Sequence, residues 1–165
     1  MAALVYLETS VISYLVALPS RDVIVAGRQQ LTREWWDRRR AAFDLVVSEL
    51  VHLECADGDP NAAARRAGVL AGLRSVEIAP EAERLAAALL SGAALPARAR
   101  ADAVHIAIAA SQGASYLLTW NSAHIANAEK RPVVEAVCRR AGYEPPILCT
   151  PDELMGEESS DVDIP

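Results

Sequence analysis

The sequence predicts an α/β domain built on a parallel sheet, on three observations. Short apolar runs at 3–7 (ALVYL), 43–47 (FDLVV), 75–79 (SVEIA) and 115–120 (SYLLTW) alternate with longer stretches of helical periodicity. The stretches between them are too long for hairpins, so neighbouring strands run parallel and are joined by crossover helices. The first run is apolar without alternation, the pattern of a strand covered on both faces.

Residues 3–7 form the first strand, and Ser10 starts a short helix that Pro19 and Ser20 close. Residues 21–40 carry a helical pattern with Ile24, Leu31 and Trp35 on one stripe. Arg28, Arg33, Arg38, Arg39 and Arg40 lie largely off it, which makes an amphipathic helix with a basic flank. After the second strand at 43–47, Ser48 caps a helix (SELVHLECADG) that ends near Gly58 and Pro60. A helix over 61–73, a third strand over 75–79 and a helix over 80–91 with Pro80 in its first turn follow. Residues 97–112 read as one helix whose second half, AVHIAIAAS, is apolar on nearly all faces and so belongs at the centre; Gly113 ends it. Beyond the fourth strand, short helices over 122–128 and 132–141 lead to a fifth strand over 146–149. Thr150-Pro-Asp-Glu opens one last turn as a capping box.

A chain of 165 residues, 52% hydrophobic, suffices for one core and not for two, so residues 1–156 are taken as one domain. Residues 157–165 are taken as an acidic, disordered tail. That tail holds Glu157, Glu158, Asp161 and Asp163 and no base, so the formal charge of −6 falls to −2 over residues 1–156. Lys130 is the only lysine, and the remaining positive charge is arginine, the better fork for phosphate. Local positive patches are compatible with a net negative chain if the acids gather around a cation. Residues 2–18 lack a basic leader and are interrupted by Glu8, unlike a signal peptide, and no segment is long and apolar enough for a bilayer. Cys55, Cys138 and Cys149, odd in number and without CxxC spacing, read as free thiols of a reducing cytoplasm. There is no GxGxxG, no P-loop and no GxSxG elbow, which excludes those nucleotide-binding and hydrolase chemistries.

Ligands of a parallel sheet sit beyond the carboxyl ends of its strands. Glu8 ends the first strand, Glu54 lies in the helix after the second, Asp102 is early in the buried helix, and Asn121 follows the fourth strand. Three carboxylates gathered there would repel one another unless a cation offsets them. An all-oxygen set without Cys or clustered His favours Mg²⁺ or Mn²⁺, and such a site activates water against a phosphodiester. Plainer roles exist as well. Glu8 alone serves equally as a cap for the helix at Ser10, and Glu54 has Glu49 and Asp57 as neighbours on a solvated face. Asp102, placed before an apolar helical run, needs a partner or a metal. His105 and His124 are read as structural histidines, and Trp35 and Trp36 as helix-packing material or a partner surface.

In these stretches the chain resembles PIN-domain proteins, most of all the VapC-type ribonuclease toxins of bacterial toxin–antitoxin pairs. The matching pieces are YLETSVIS (6–13), SELVHLE (48–54), ADAVHIAIA (101–109) and LLTWNSAHIAN (117–127), and their order and spacing extend the resemblance over about residues 3–155. It implies a PIN-like three-layer α/β fold with a four- to five-stranded parallel sheet flanked by helices. It also implies that Glu8, Glu54 and Asp102 hold Mg²⁺ or Mn²⁺ directly or through water. Asn121, standing where the family often has a fourth acid, orients a metal-bound water or a phosphate. Thr9 or Ser10 supplies a hydroxyl to the first acid or the attacking water, and Ser48 caps a helix. The activity implied is metal-dependent endonucleolytic cleavage of RNA in the cytoplasm. The implied partners are a small cognate antitoxin that blocks the site and a second copy of the chain, with the helix over 21–40 and its tryptophans as the contact surface.

Two departures stand out. The family's first acid is usually Asp, and the extra methylene of Glu8 moves the carboxylate by about 1.5 Å, one carbon–carbon bond; Mg²⁺ is strict about such geometry. Asn121 removes one negative charge, which weakens a second metal position more than the first. The other function classes are a non-catalytic PIN module that binds RNA or a protein, and a phosphatase or haloacid-type hydrolase. The latter requires a nucleophilic Asp where Glu8 stands.

Overall fold

The apolar run Ala3–Leu7 forms β1 and becomes the middle strand of the sheet in this computed structural model, which describes residues 1–92 and 94–156. With β2 (Phe43–Ser48), β3 (Arg74–Val76), β4 (Tyr116–Leu118) and β5 (Ile147–Cys149) it gives the order β3-β2-β1-β4-β5, every neighbouring pair parallel. Val5 lies opposite Leu45 and Tyr116, and Tyr6 opposite Val46 and Leu117. Val5, Tyr6, Leu7, Val46, Val47, Leu117 and Leu118 are all fully buried, as strands covered on both faces must be. Each such side chain withdrawn from water stabilises the fold by about 1.5–3 kcal/mol. The chain steps from β1 outward to β2 and β3, then returns to place β4 and β5 on the other side. The order therefore reverses between β1 and β4, where a parallel sheet leaves a crevice.

Seven helices surround the sheet among the described residues: α1 (Thr9–Val16), α2 (Val23–Arg39), α3 (Glu49–Cys55), α4 (Pro60–Leu70), α5 (Pro80–Ser91), α6 (Arg100–Ser111) and α7 (Arg131–Arg140). Four of them start on a side-chain cap: Glu8 on Ser10 N for α1, Asp22 on Val25 N for α2, Ser48 on Val51 N for α3 and Asp59 on Ala62 N for α4. α6 is the central helix expected from its all-round apolarity, with Ala103 and residues 105–110 buried, and it packs on α5. Gly113 follows it with φ +70°, a left-handed turn that favours glycine. At the end of the described chain the Glu153 carboxylate accepts from Thr150 N at 2.9 Å, completing the capping contact. The acidic residues 157–165 lie outside the described residues.

Four expectations are corrected. The inward face of α2 is Gln29, Thr32 and Trp35, and Ile24 is 68% exposed. Hydrogen bonds orient this helix: Gln29 accepts from Ser20 N and donates to Leu18 O, both at 3.1 Å, and Thr32 Oγ1 accepts from Trp120 Nε1 at 2.8 Å. Of the two roles expected for the tryptophans, Trp35 takes helix packing, fully buried and stacked on Phe43, and so is not part of a contact surface; Trp36 is half-buried under the Arg40 guanidinium. Residues 122–128 form turns rather than a helix, because the Asn127 amide takes Ser122 O and Glu129 N in place of helical bonds. β3 stops at Val76, since Ile78 N is claimed by the Glu49 carboxylate at 2.6 Å and Pro80 begins α5.

Candidate metal and catalytic site

β1 brings Glu8 to the crevice beside β4, and Glu8 N donates to Leu118 O at 3.0 Å, so strand pairing runs through the residue itself. Glu8 is only 6% exposed, a burial that a carboxylate tolerates when its oxygens are satisfied. Oε2 accepts from Ser10 N at 3.0 Å, from Thr119 Oγ1 at 2.7 Å and from the Ser10 hydroxyl. Oε1 has no hydrogen-bond partner among the described residues. Ser10 Oγ also accepts from Trp120 N at 2.8 Å, and Thr119 Oγ1 from Asn121 N at 2.9 Å, which ties α1 to the end of β4.

Glu54 enters from α3. Its Oε1 accepts from Thr9 Oγ1 at 2.7 Å and from His105 Nε2 at 2.5 Å, and Oε2 has no partner among the described residues. Burial by itself pushes this carboxyl up, but the hydrogen bonds from His105 and Thr9 outweigh it and hold the group below the usual carboxylate range. Behind it, fully buried His105 has Nδ1 2.8 Å from the Tyr6 hydroxyl, which lies 2.8 Å from Ser48 Oγ. An ionised carboxylate only accepts, so the hydrogen-bond pattern assigns a hydrogen to His105 Nε2. Burial raises the Tyr6 phenol far above its ordinary value and keeps it a neutral hydroxyl. One chain of hydrogen bonds, Ser48–Tyr6–His105–Glu54, thus links β2, β1, α6 and α3. Ser48 keeps its expected role as well, capping α3 through Val51 N.

One possible ligand atom from each of Glu8, Glu54 and His105 lies within 4.8 Å of the other two. Asp102 does not join this group. Its Oδ2 is 2.8 Å from His124 Nδ1, while His124 N donates to Asn121 Oδ1 at 3.1 Å. Asp102 and His105 are one helical turn apart and so share a face of α6. Thr119 touches both Glu8 and Asn121, making the two clusters neighbours. The expected grouping is therefore met for Glu8 and Glu54, the hydroxyls Thr9 and Ser10 serve one acid each, and Asp102 with Asn121 forms an adjoining cluster around His124. The carboxylates are also not free of histidine, contrary to the all-oxygen expectation.

The donor set fits a hard divalent cation. Glu8 and Glu54 each spend one oxygen on protein donors and keep the other, and Asp102 keeps Oδ1 one turn away. Sequence reasoning missed Tyr6, Thr119 and the roles of both histidines. The available signal was His105 itself, a lone polar residue inside an apolar helical run, which demands partners; Tyr6 near the end of β1 and Glu54 in the helix after β2 are the polar residues within its reach.

No known protein-family profile matches the chain, and no curated protein matches it in sequence. Solved structures do match in shape. The Mycobacterium tuberculosis toxin VapC20, described as Sarcin-Ricin loop cleaving, superposes with a TM-score of 0.57 at 16% identity, covering 73% of this chain and 92% of that one. VapBC2 from Rickettsia felis, bound to a DNA fragment from its promoter, gives 0.49 at 13% identity over 72% and 88%. At this identity the VapC20 match shows the fold: the chain has the PIN-like α/β architecture its motifs resemble.

Proposed function

We propose that this protein is a metal-dependent endoribonuclease, the toxin of a toxin–antitoxin pair, cleaving RNA with a metal-activated water. The observation that carries this is the pair Glu8 and Glu54 at the β1/β4 crevice, each with one oxygen held by the protein and the other without a partner. The VapC20-like fold supports it. Glu8 and Glu54, with Asp102 directly or through water, hold Mg²⁺ or Mn²⁺. Such an ion, when bound, supplies a water of lowered pKa and stabilises the leaving oxygen. Ser10 and Thr119 orient Glu8, and Thr9 and His105 orient Glu54. Asn121 spends Oδ1 on His124 N and keeps Nδ2 as a donor to a water or a phosphate oxygen. The proposed partners are an RNA strand and a small antitoxin that covers the crevice, with a second copy of the chain. The resemblance alone supplies the last two.

Purified protein is expected to cut RNA with Mn²⁺ or Mg²⁺ and to lose that activity in EDTA; cleavage that persists in excess chelator overturns the proposal. A second reading, a PIN module that binds RNA without cutting it, is favoured by the way His105 and His124 already occupy one oxygen each of Glu54 and Asp102. Calorimetric titration separates the two, since a module retains RNA affinity but binds neither ion.

A further inference from the structure

Beside Asp102, the segment before α6 and the turns after β4 enclose an open pocket of about 470 Å³ lined by Leu95, Pro96, Arg98, Ala123, His124 and Lys130. No carboxylate lines it. Arg98 and Lys130 make no ion pair or side-chain hydrogen bond among the described residues. Five arginines elsewhere are committed, Arg33, Arg65 and Arg66 to backbone carbonyls and Arg131 and Arg139 to glutamates, whereas Arg98 and Lys130 stand next to the candidate site with no such partner. His124 forms the wall that the pocket shares with the site, its Nδ1 being 2.8 Å from Asp102 Oδ2.

Two uncompensated cations in one concavity, on a chain with a net charge of −6, create a local field opposite to that of the whole molecule. An arginine fork beside a lysine point charge, walled by apolar Leu95 and Pro96, matches the tetrahedral, multiply accepting oxygens of a phosphodiester. We infer that this pocket binds a backbone phosphate of the RNA strand next to the bond being cut, with Arg98 and Lys130 as its ligands. The inference rests on the ribonuclease reading for its substrate and extends it to a subsite. A strand held there lies against His124, on the side of the crevice where Asp102 and Asn121 stand.

The test is RNA binding, followed by fluorescence anisotropy of a labelled single strand in EDTA, for the intact protein, Arg98→Gln, Lys130→Gln and the double variant. Phosphate contacts to single strands set the slope of log K against log salt at about −0.7 each, so each substitution should flatten the slope by about 0.7 and the pair by about 1.4. Arg139→Gln, on a guanidinium already paired with Glu135 and Glu144, should leave it unchanged. A double variant with the unsubstituted slope, or an intact protein that does not bind the strand, overturns the subsite; acidic protein segments then become its better ligand. Mn²⁺-dependent cleavage is scored separately. Cleavage without the slope change removes the subsite and leaves the enzyme, whereas the slope change without cleavage removes the enzyme and leaves an RNA-binding pocket.

Discussion

Glu54 with His105, and Asp102 with His124, are two carboxylate–histidine pairs on the same sheet edge. The first closes at 2.5 Å, its imidazole 1% exposed and backed by the Tyr6 and Ser48 hydroxyls. The second closes at 2.8 Å, its side chains 19% and 21% exposed, and the far ring nitrogen of His124 has no hydrogen-bond partner among the described residues. A pair locked from behind is positioned by the fold, and its geometry survives without a ligand. The outer imidazole is open on one side, and under the proposed function Asp102 would meet a cation through its unpartnered Oδ1. The difference lies in the histidines, the inner one locked and the outer one open, since the carboxylates run the other way, Glu54 being 35% exposed and Asp102 19%.

The largest effect expected is on the inner carboxylates. Glu8→Gln or Glu54→Gln should lower Mn²⁺-dependent RNA cleavage at least about 100-fold with the circular dichroism spectrum retained, since even outer partners of a metal ligand contribute about 10- to 100-fold. Near-normal cleavage in both variants would break the comparison and move the centre to Asp102. Next comes Tyr6→Phe, which strips the bridging hydroxyl from buried Ser48 and His105. Urea unfolding should show a loss of about 1–3 kcal/mol, the range for an unsatisfied buried polar group. His124→Gln should cost about 0.5 kcal/mol by the same method, the lower end for one partly exposed hydrogen bond, while cleavage falls about tenfold through loosened Asp102. Equal destabilisation by the two substitutions contradicts the division into a locked and an open histidine.

The smallest effect lies away from both pairs, at Cys138 and Cys149. Burial pushes these thiols up to about 11 and about 12, so native protein at neutral pH should resist iodoacetamide until it is unfolded. A raised thiol contributes stability in full below the ordinary value of about 8.5 and loses it as pH climbs toward the folded value. Alkaline denaturation should therefore begin above that ordinary value. Fast labelling of the native chain at neutral pH would contradict this.

Much of this arrangement was legible in the residues, and the limits have physical causes. The ends of the first two strands were readable because apolar runs stop abruptly at Glu8 and Ser48, and Ser48 could be recognised as a cap from its place before ELVHLE, whereas the fourth strand, read over 115–120, ends at Leu118. Proximity of Glu8 and Glu54 followed from strand order in a parallel sheet. The partner of Asp102 did not, because His124 comes from a turn region whose path is set by the Asn121 and Asn127 amides rather than by any periodicity. α2 misled for a related reason: its buried face is held by Gln29 and Thr32, and polar residues that make specific bonds leave no hydrophobic stripe to count.

Glu8 is at once the cap of α1 and a ligand candidate, and it divides these duties between its two oxygens. With Oε2 committed to Ser10 and Thr119, only Oε1 is left without a partner among the described residues, so Glu8 would serve a cation through one oxygen. One residue thus starts the first turn of α1 with one atom and presents a second, unpartnered atom to the crevice.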